Sequence, residues 1–164
     1  MFQFRIAIVL AVALTLSVAF PPYFAHAGGL IEISGRTELT SGGPVSLTID
    51  EFEALAPPTI IKTSTPWHAV TTFSGVSGVD FIRVTGATGQ TIVARAANEY
   101  QTRIPLSDLT DLGVLFVTRM NGKRISLREK GPVFIIYPFD QNPEVKSEIY
   151  YGRSIWQLVE MRIE

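Results

Sequence analysis

The stretch M-N-G-K-R-I-S-L-R-E-K-G-P-V-F-I-I-Y-P, residues 120–138, decides how the chain folds. Asn121-Gly122 lies between the largely apolar segment 115–120 and Ile125. Both turn residues tolerate the positive φ of a tight two-residue turn, so this is the strongest short hairpin signal in the chain. Residues 133–137 form an unbroken apolar run of strand length, as expected of a strand buried on both faces. A polar loop over 138–152 follows, and residues 155–163 alternate as a final strand.

The same grammar continues toward the N-terminus. Residues 91–96 and 101–106 read as strands around the turn Asn98-Glu99-Tyr100. Ser107 is placed to cap a short helix through Leu112. A helix over 79–85 closes at Gly86, and residues 75–78 read as a loop. Residues 59–63 are β-branched and strand-like, and 64–68 (S-T-P-W-H) carry a loop signal. Thr48 and Glu51 have the spacing of a capping box, so a helix is expected over 49–55, stopped by Pro57-Pro58. Residues 30–34 and 45–48 are short strands. Strands outnumber helices, and the helices are short. The fold class is therefore α/β mixed (α+β), mostly β, in a single domain over residues 28–164.

Residues 1–27 stand apart. Arg5 precedes an apolar run over 6–20, then Pro21-Pro22 and Ala25-His26-Ala27, which is the pattern of a secretory signal peptide cleaved after Ala27. The apolar run falls short of the ~20 residues a membrane-spanning helix takes. The exported chain is expected to be periplasmic and not membrane-spanning after cleavage.

The chain has 164 residues, 46 % hydrophobic and 18 % charged, which excludes a disordered tail or a coiled coil. The formal net charge is −1 and no basic run exists, so nothing marks a nucleic-acid surface. Cysteine is absent, which removes disulfides, thiol nucleophiles and every metal site that needs a thiolate. After cleavage His68 would be the one histidine, which excludes a multi-histidine metal site. No nucleophile elbow, zinc-protease or phosphate-loop pattern occurs.

Loop residues of three kinds remain. Trp67, after Pro66, offers either a face for stacking a heterocycle or a lid on the core. Asn98, beside Tyr100, offers the donors and acceptors that a pteridine or purine edge needs, or simply tolerates a left-handed turn. Arg128, Lys130 and Arg153 either gather charge for an anion or form a solvated surface.

Several segments occur together and in order: F-S-G-V at 73–76, Y-Q-T-R-I-P-L-S-D-L at 100–109, M-N-G-K-R-I-S-L-R-E-K-G-P at 120–132, and V-F-I-I-Y-P at 133–138 leading to S-I-W-Q-L at 154–158. The chain thereby resembles the molybdopterin-binding domain of the sulfite-oxidase family. That family has a W-x-G-V-P-L turn, a G-Y-x-x-x-(I/L)-P strand, an N-G-x-P-L hairpin, G-G-P and a late K-S-x-K-W-L segment. The resemblance covers roughly residues 30–164 and implies a single sulfite-oxidase-like molybdopterin-binding fold.

In the family's enzymes a cysteine thiolate ligates molybdenum just before the W-x-G-V turn. Here the corresponding residues 60–67, I-I-K-T-S-T-P-W, have none, and a hydroxyl at Thr63 or Ser64 is a poor substitute for soft sulfur. The sequence looks more like the small, exported, stand-alone members, which are regarded as pterin-binding proteins. Some of these act as periplasmic sensors with a membrane-bound diguanylate cyclase–phosphodiesterase of GGDEF–EAL type that sets cyclic di-GMP. The matching pieces are Trp67, A-N-x-Y at 97–100, R-E-K-G-P at 128–132, I-Y-P at 136–138 and R-S-I-W-Q-L at 153–158.

The resemblance implies a reduced pterin as ligand, no molybdenum and no catalysis. Trp67 would stack, with Tyr137 as second choice. Asn98 and Tyr100 would bond the heterocycle's edge. Arg128, Lys130, Arg153 and Ser154 would meet anionic substituents, and Trp156 is expected in the core of the last strand. The alternatives are a molybdopterin-dependent oxidoreductase that holds its cofactor by the pterin alone, and an interaction module that has lost its ligand.

Overall fold

The computed structural model describes residues 30–164; the expected leader, residues 1–27, lies outside the described residues. The first strand, β1 (Leu30–Gly35), pairs antiparallel with β2 (Val45–Thr48) and parallel with the last strand, β10 (Leu158–Ile163). Strands β5 (Thr91–Ala96) and β6 (Gln101–Pro105) complete this sheet in the order β2-β1-β10-β5-β6. The second sheet runs β3 (Thr59–Thr65), β4 (His68–Ser77), β7 (Leu115–Met120), β8 (Lys123–Arg124), with β9 (Phe134–Ile136) paired to β7.

Four short helices connect them: α1 (Ile49–Glu53), α2 (Gly78–Thr85), α3 (Leu106–Asp111) and α4 (Glu148–Arg153). The expected capping box closes on α1, with the Glu51 N–H donating to Thr48 Oγ1 and the Thr48 N–H donating to the Glu51 carboxylate. Gly86 ends α2 at φ 63°, a left-handed cap as expected. Asn121 and Gly122 turn the β7–β8 hairpin at φ 49° and 77°.

The second sheet is buried on both faces. Phe116 of β7 and Ile135 of β9 face one core with Ile31, Ile92 and Phe81, toward the first sheet. Leu115, Val117, Phe134 and Ile136 face a smaller core with Phe73, and Trp67 and Trp156 pack at its margin. The period-2 alternation of β7 and β9 thus feeds two apolar layers at once, and the second layer positions the site.

Four local expectations need correction. Residues 75–78 are not a loop, because β4 runs through to Ser77. Gly75 is there because its Cα lies against the Phe116 carbonyl, where an added Cβ would sit 1.9 Å from that oxygen. A register shift at Ser74/Gly75 accommodates the approach, so the glycine marks a close-packed irregularity within the strand. Ser107 does not cap α3; Pro105 occupies the cap position without a side-chain bond. The polar segment 138–152 contains α4, held by long-range aromatic contacts of Tyr150 and Tyr151 with Tyr137 and Phe139. Finally, β10 starts at Leu158 and not at 155, because Gln157 adopts φ 53° and breaks the extended chain.

Candidate functional site

Three loops converge at the margin of the smaller core. The β5–β6 turn brings Asn98 and Tyr100. The end of α4 brings Tyr151, Gly152 and Ser154. The β3–β4 turn brings Trp67, and the left-handed break before β10 turns Trp156 outward. Together they line a cleft of about 320 Å³ whose accessible walls are mainly apolar. Gln157 ties the loops together: its carbonyl accepts from the Ala97 N–H at 2.8 Å and its own N–H donates to the Lys130 carbonyl at 2.9 Å.

The two indoles form a corner, with ring centroids 5.2 Å apart and planes at 75°. Both are half-buried, so each is rigidly backed yet accessible. Tyr151 meets Trp67 edge-on at 6.4 Å and extends the aromatic wall. These are the only two tryptophans in the chain. A corner of this kind stacks a flat ring on one indole and caps its edge with the other.

The polar rim is sparse. Asn98 accepts from the Tyr100 N–H at 3.2 Å through Oδ1, and its side-chain NH2 has no partner among the described residues. The left-handed residue of this turn is Glu99, at φ 67°, so Asn98 is not there to supply that conformation. The Tyr100 hydroxyl donates to the Gly152 carbonyl at 3.0 Å and can still accept. The buried Ser154 hydroxyl donates to the Tyr150 carbonyl at 2.8 Å.

Trp67, Asn98, Tyr100 and Ser154 are therefore brought together. Of the other expected site residues, Lys130 reaches the indoles from behind the lining, and Tyr137, Arg128 and Arg153 do not line the cleft. Tyr137 is fully buried, with its hydroxyl donating to Asp108 at 2.7 Å, and it offers no face for stacking. Burial, followed by that bond, pushes its phenol well above the ordinary tyrosine range. Arg153 donates to the same Asp108 carboxylate at 2.9 Å, so its charge is already met. Arg128 is exposed on a 3-10 turn, Leu127–Glu129, and does not line the cleft. Lys130 lies over the indoles, 4.0 Å from the Trp156 centroid and 5.4 Å from that of Trp67. Trp156, expected in the core, is the second wall. Its signal was the scarcity of tryptophan: two in the chain, each beside a loop.

A second cleft, about 280 Å³, lies over the opposite end of the second sheet near Glu53 and Arg119. There Glu53 is bound by Arg119 at 3.0 and 3.1 Å and by Arg124 at 2.8 Å, so its charged groups satisfy one another.

No protein-family model matches the chain, and no curated protein matches it. Among solved structures, the crystal structure of the sulfane dehydrogenase SoxCD from Paracoccus pantotrophus matches with a TM-score of 0.60 at 15 % identity. The match covers 82 % of this chain and 38 % of that one, so the chain spans well under half of the protein it resembles. The fold is of the sulfite-oxidase type. At this identity the likeness is one of fold alone.

Proposed function

We propose that this chain is a non-catalytic, periplasmic pterin-binding protein, and that it relays pterin availability to a membrane-bound diguanylate cyclase–phosphodiesterase of GGDEF–EAL type. The observation that carries the binding part is the corner of Trp67 and Trp156, with the Asn98 amide and the Tyr100 hydroxyl at its rim. A pterin is a flat bicycle with a guanine-like edge. An indole face with an amide and hydroxyls nearby meets both needs. The signal-like sequence pattern of residues 1–27 supports the periplasmic part of the reading. The relay rests on resemblance to small exported members of the superfamily.

The donor set does not fit a thiolate-ligated molybdenum. The chain has no cysteine. In residues 60–67 the Thr63 hydroxyl is buried and donates to the Ser64 carbonyl, and the Ser64 hydroxyl donates to Asp140. Among the described residues no three His, Asp or Glu groups gather to hold a metal.

The test is to purify the exported protein, denature it and analyse the released small molecules by fluorescence and mass spectrometry, with molybdenum measured on the same sample. A pterin without molybdenum is expected. A pterin with equimolar molybdenum would favour the oxidoreductase. A protein that carries nothing and takes up neither neopterin nor its tetrahydro form would leave only an interaction module. Co-purification with the partner's periplasmic domain, dependent on added pterin, is expected if the relay holds.

A further inference from the structure

Lys130 reaches the aromatic corner from a loop fastened on both sides of it. The Gln157 N–H donates to the Lys130 carbonyl at 2.9 Å, and the Gln157 side-chain amide donates to the Leu127 carbonyl at 2.8 Å. The Gly131 N–H closes the loop on the Ser126 carbonyl at 2.8 Å. Lys130 itself is held at φ 106°, in the left-handed region that a lysine rarely adopts. Trp156 is the chain neighbour of Gln157, so the bonds that fasten the loop also set the lysine stem above that indole.

The ammonium lies 4.0 Å from the Trp156 centroid, 5.4 Å from Trp67 and 5.9 Å from Phe134. Among the described residues it has no carboxylate within ion-pair distance; the nearby Glu129 carboxylate is taken by the Ser126 hydroxyl at 3.0 Å. Aromatic faces are its principal partners. Cages of this sort elsewhere receive a ligand's ammonium. Here the chain fills the cage with its own.

We infer that Lys130 is the positioning residue of the cleft: its ammonium, shared between the faces of Trp156 and Trp67, holds the two indoles in the perpendicular arrangement that a flat ligand enters. It acts through the indoles and does not line the cleft. An edge-to-face pair of rings is a favoured arrangement, and a cation over both rings adds a further hold on their separation and tilt.

Charge is essential to this role, and the surroundings allow it to be read. Burial lowers the Lys130 pKa from the ordinary lysine value. The titratable group facing it is His68 of β4, whose pKa is lowered by burial and then by the Lys130 charge. Arg128 and Glu129 flank it on its own loop. The phenols of Tyr151 and Tyr100 also line the corner, and comparison with Lys130→Arg, which keeps both, separates their ionisation from that of Lys130.

The inference rests on the pterin reading only in its ligand arm. Because the chain has two tryptophans, both in the corner, near-ultraviolet circular dichroism of the ligand-free full chain reports the indole arrangement directly. Lys130→Met is expected to lose most of the indole band with an unchanged far-ultraviolet spectrum, and Lys130→Arg to retain it. In the wild type the band should fade reversibly as pH rises toward the ordinary lysine pKa, and in Lys130→Arg it should not. Neopterin affinity of Lys130→Met should drop about tenfold, the effect of losing a partly desolvated cation–π contact.

A Lys130→Met spectrum identical to wild type would overturn the inference. If that variant does not fold, a wild-type band that follows the Lys130→Arg band through the same pH range would overturn it instead. Failure of the wild type to bind neopterin would count against the pterin reading, and the ligand-free spectra would still decide the role of Lys130.

Discussion

The Tyr100 hydroxyl donates to the Gly152 carbonyl at 3.0 Å across 52 residues, and this bond joins the two walls of the cleft. One wall is the β5–β6 turn and the other is the end of α4. The bond is exposed, so water competes for both groups and its net worth is about 0.5–1.5 kcal/mol. Tyr100→Phe should therefore lower global stability by no more than about that amount and, by loosening the cleft, weaken neopterin binding by up to roughly tenfold. Hydrogen exchange at residues 148–153 should quicken. Wild-type exchange there would mean that α4 is held by its aromatic contacts alone.

Each indole should carry a separable share of affinity. Loss of a stacking partner costs ~1–3 kcal/mol by analogy with nucleobases, which is roughly ten- to a hundredfold in affinity. Trp67→Ala and Trp156→Ala should both fall in that range by fluorescence titration of neopterin. Trp67→Phe should recover part of the loss, because a phenyl ring keeps a face. Unchanged binding in Trp67→Ala would place the ligand elsewhere.

How much of this was legible in the sequence depended on whether the cause was local. The Asn121-Gly122 turn, the Thr48–Glu51 box and the Gly86 cap have causes within a few residues of themselves, and each formed as read. Strand β4 was hidden because Gly75 has a long-range cause, the Phe116 carbonyl pressed against it. Helix α4 was hidden because its hold on the fold comes from rings distant in sequence. The site divides in the same way. Trp67, Asn98, Tyr100 and Ser154 were recognisable as polar or aromatic loop residues. Tyr137 and Arg153 lie away from the cleft lining because both answer to the nearly buried carboxylate of Asp108, which looks in sequence like an ordinary helix residue. Trp156 packs against the smaller core as expected, but its place outside β10 and on the cleft wall was not legible, because nothing local marks a left-handed Gln157.

Asp108 should be a stability residue and not a binding residue. It is 5 % exposed and accepts from both the Tyr137 hydroxyl and the Arg153 guanidinium. Asp108→Ala strands two donors and should cost ~3 kcal/mol, toward the lower end of the range for a broken buried pair. Tyr137 adds a pH dependence. Its folded pKa is raised, by burial first and the Asp108 bond second, so the folded state resists its ionisation while the unfolded chain ionises near pH ~10. That stability is fully present below pH ~10 and is lost as pH rises above it. Tyr137→Phe should flatten the alkaline limb of a denaturation-midpoint profile; an unchanged limb would assign it to other groups.

Asp140 should govern the acid limb, because it fastens the segment after β9 to the open edge of the second sheet. Its carboxylate accepts from the Ser64 N–H at 2.6 Å and the Ser64 hydroxyl at 2.7 Å, and pairs with Lys146 at 3.1 Å. Its own N–H donates to Thr63 Oγ1 at 3.0 Å, and Gln141 donates to the Lys62 carbonyl at 2.7 Å. An edge strand presents unpaired backbone groups, and this clasp covers part of the β3 edge. The Ser64 N–H, followed by the Ser64 hydroxyl and Lys146, lowers the Asp140 pKa to about 2. The sign follows from that lowering: the contribution is present above the ordinary carboxylate value and is lost as pH falls from there toward about 2. Asp140→Asn keeps the shape but not the charge, so its stability should change less with pH across that window than the wild type's. Segment 139–147 should also become more open to protease in the wild type at the acid end and in Asp140→Asn at neutral pH. Parallel acid limbs in the two proteins would show that the clasp is ornamental to stability and that the edge is guarded by packing of Phe139 against Tyr151.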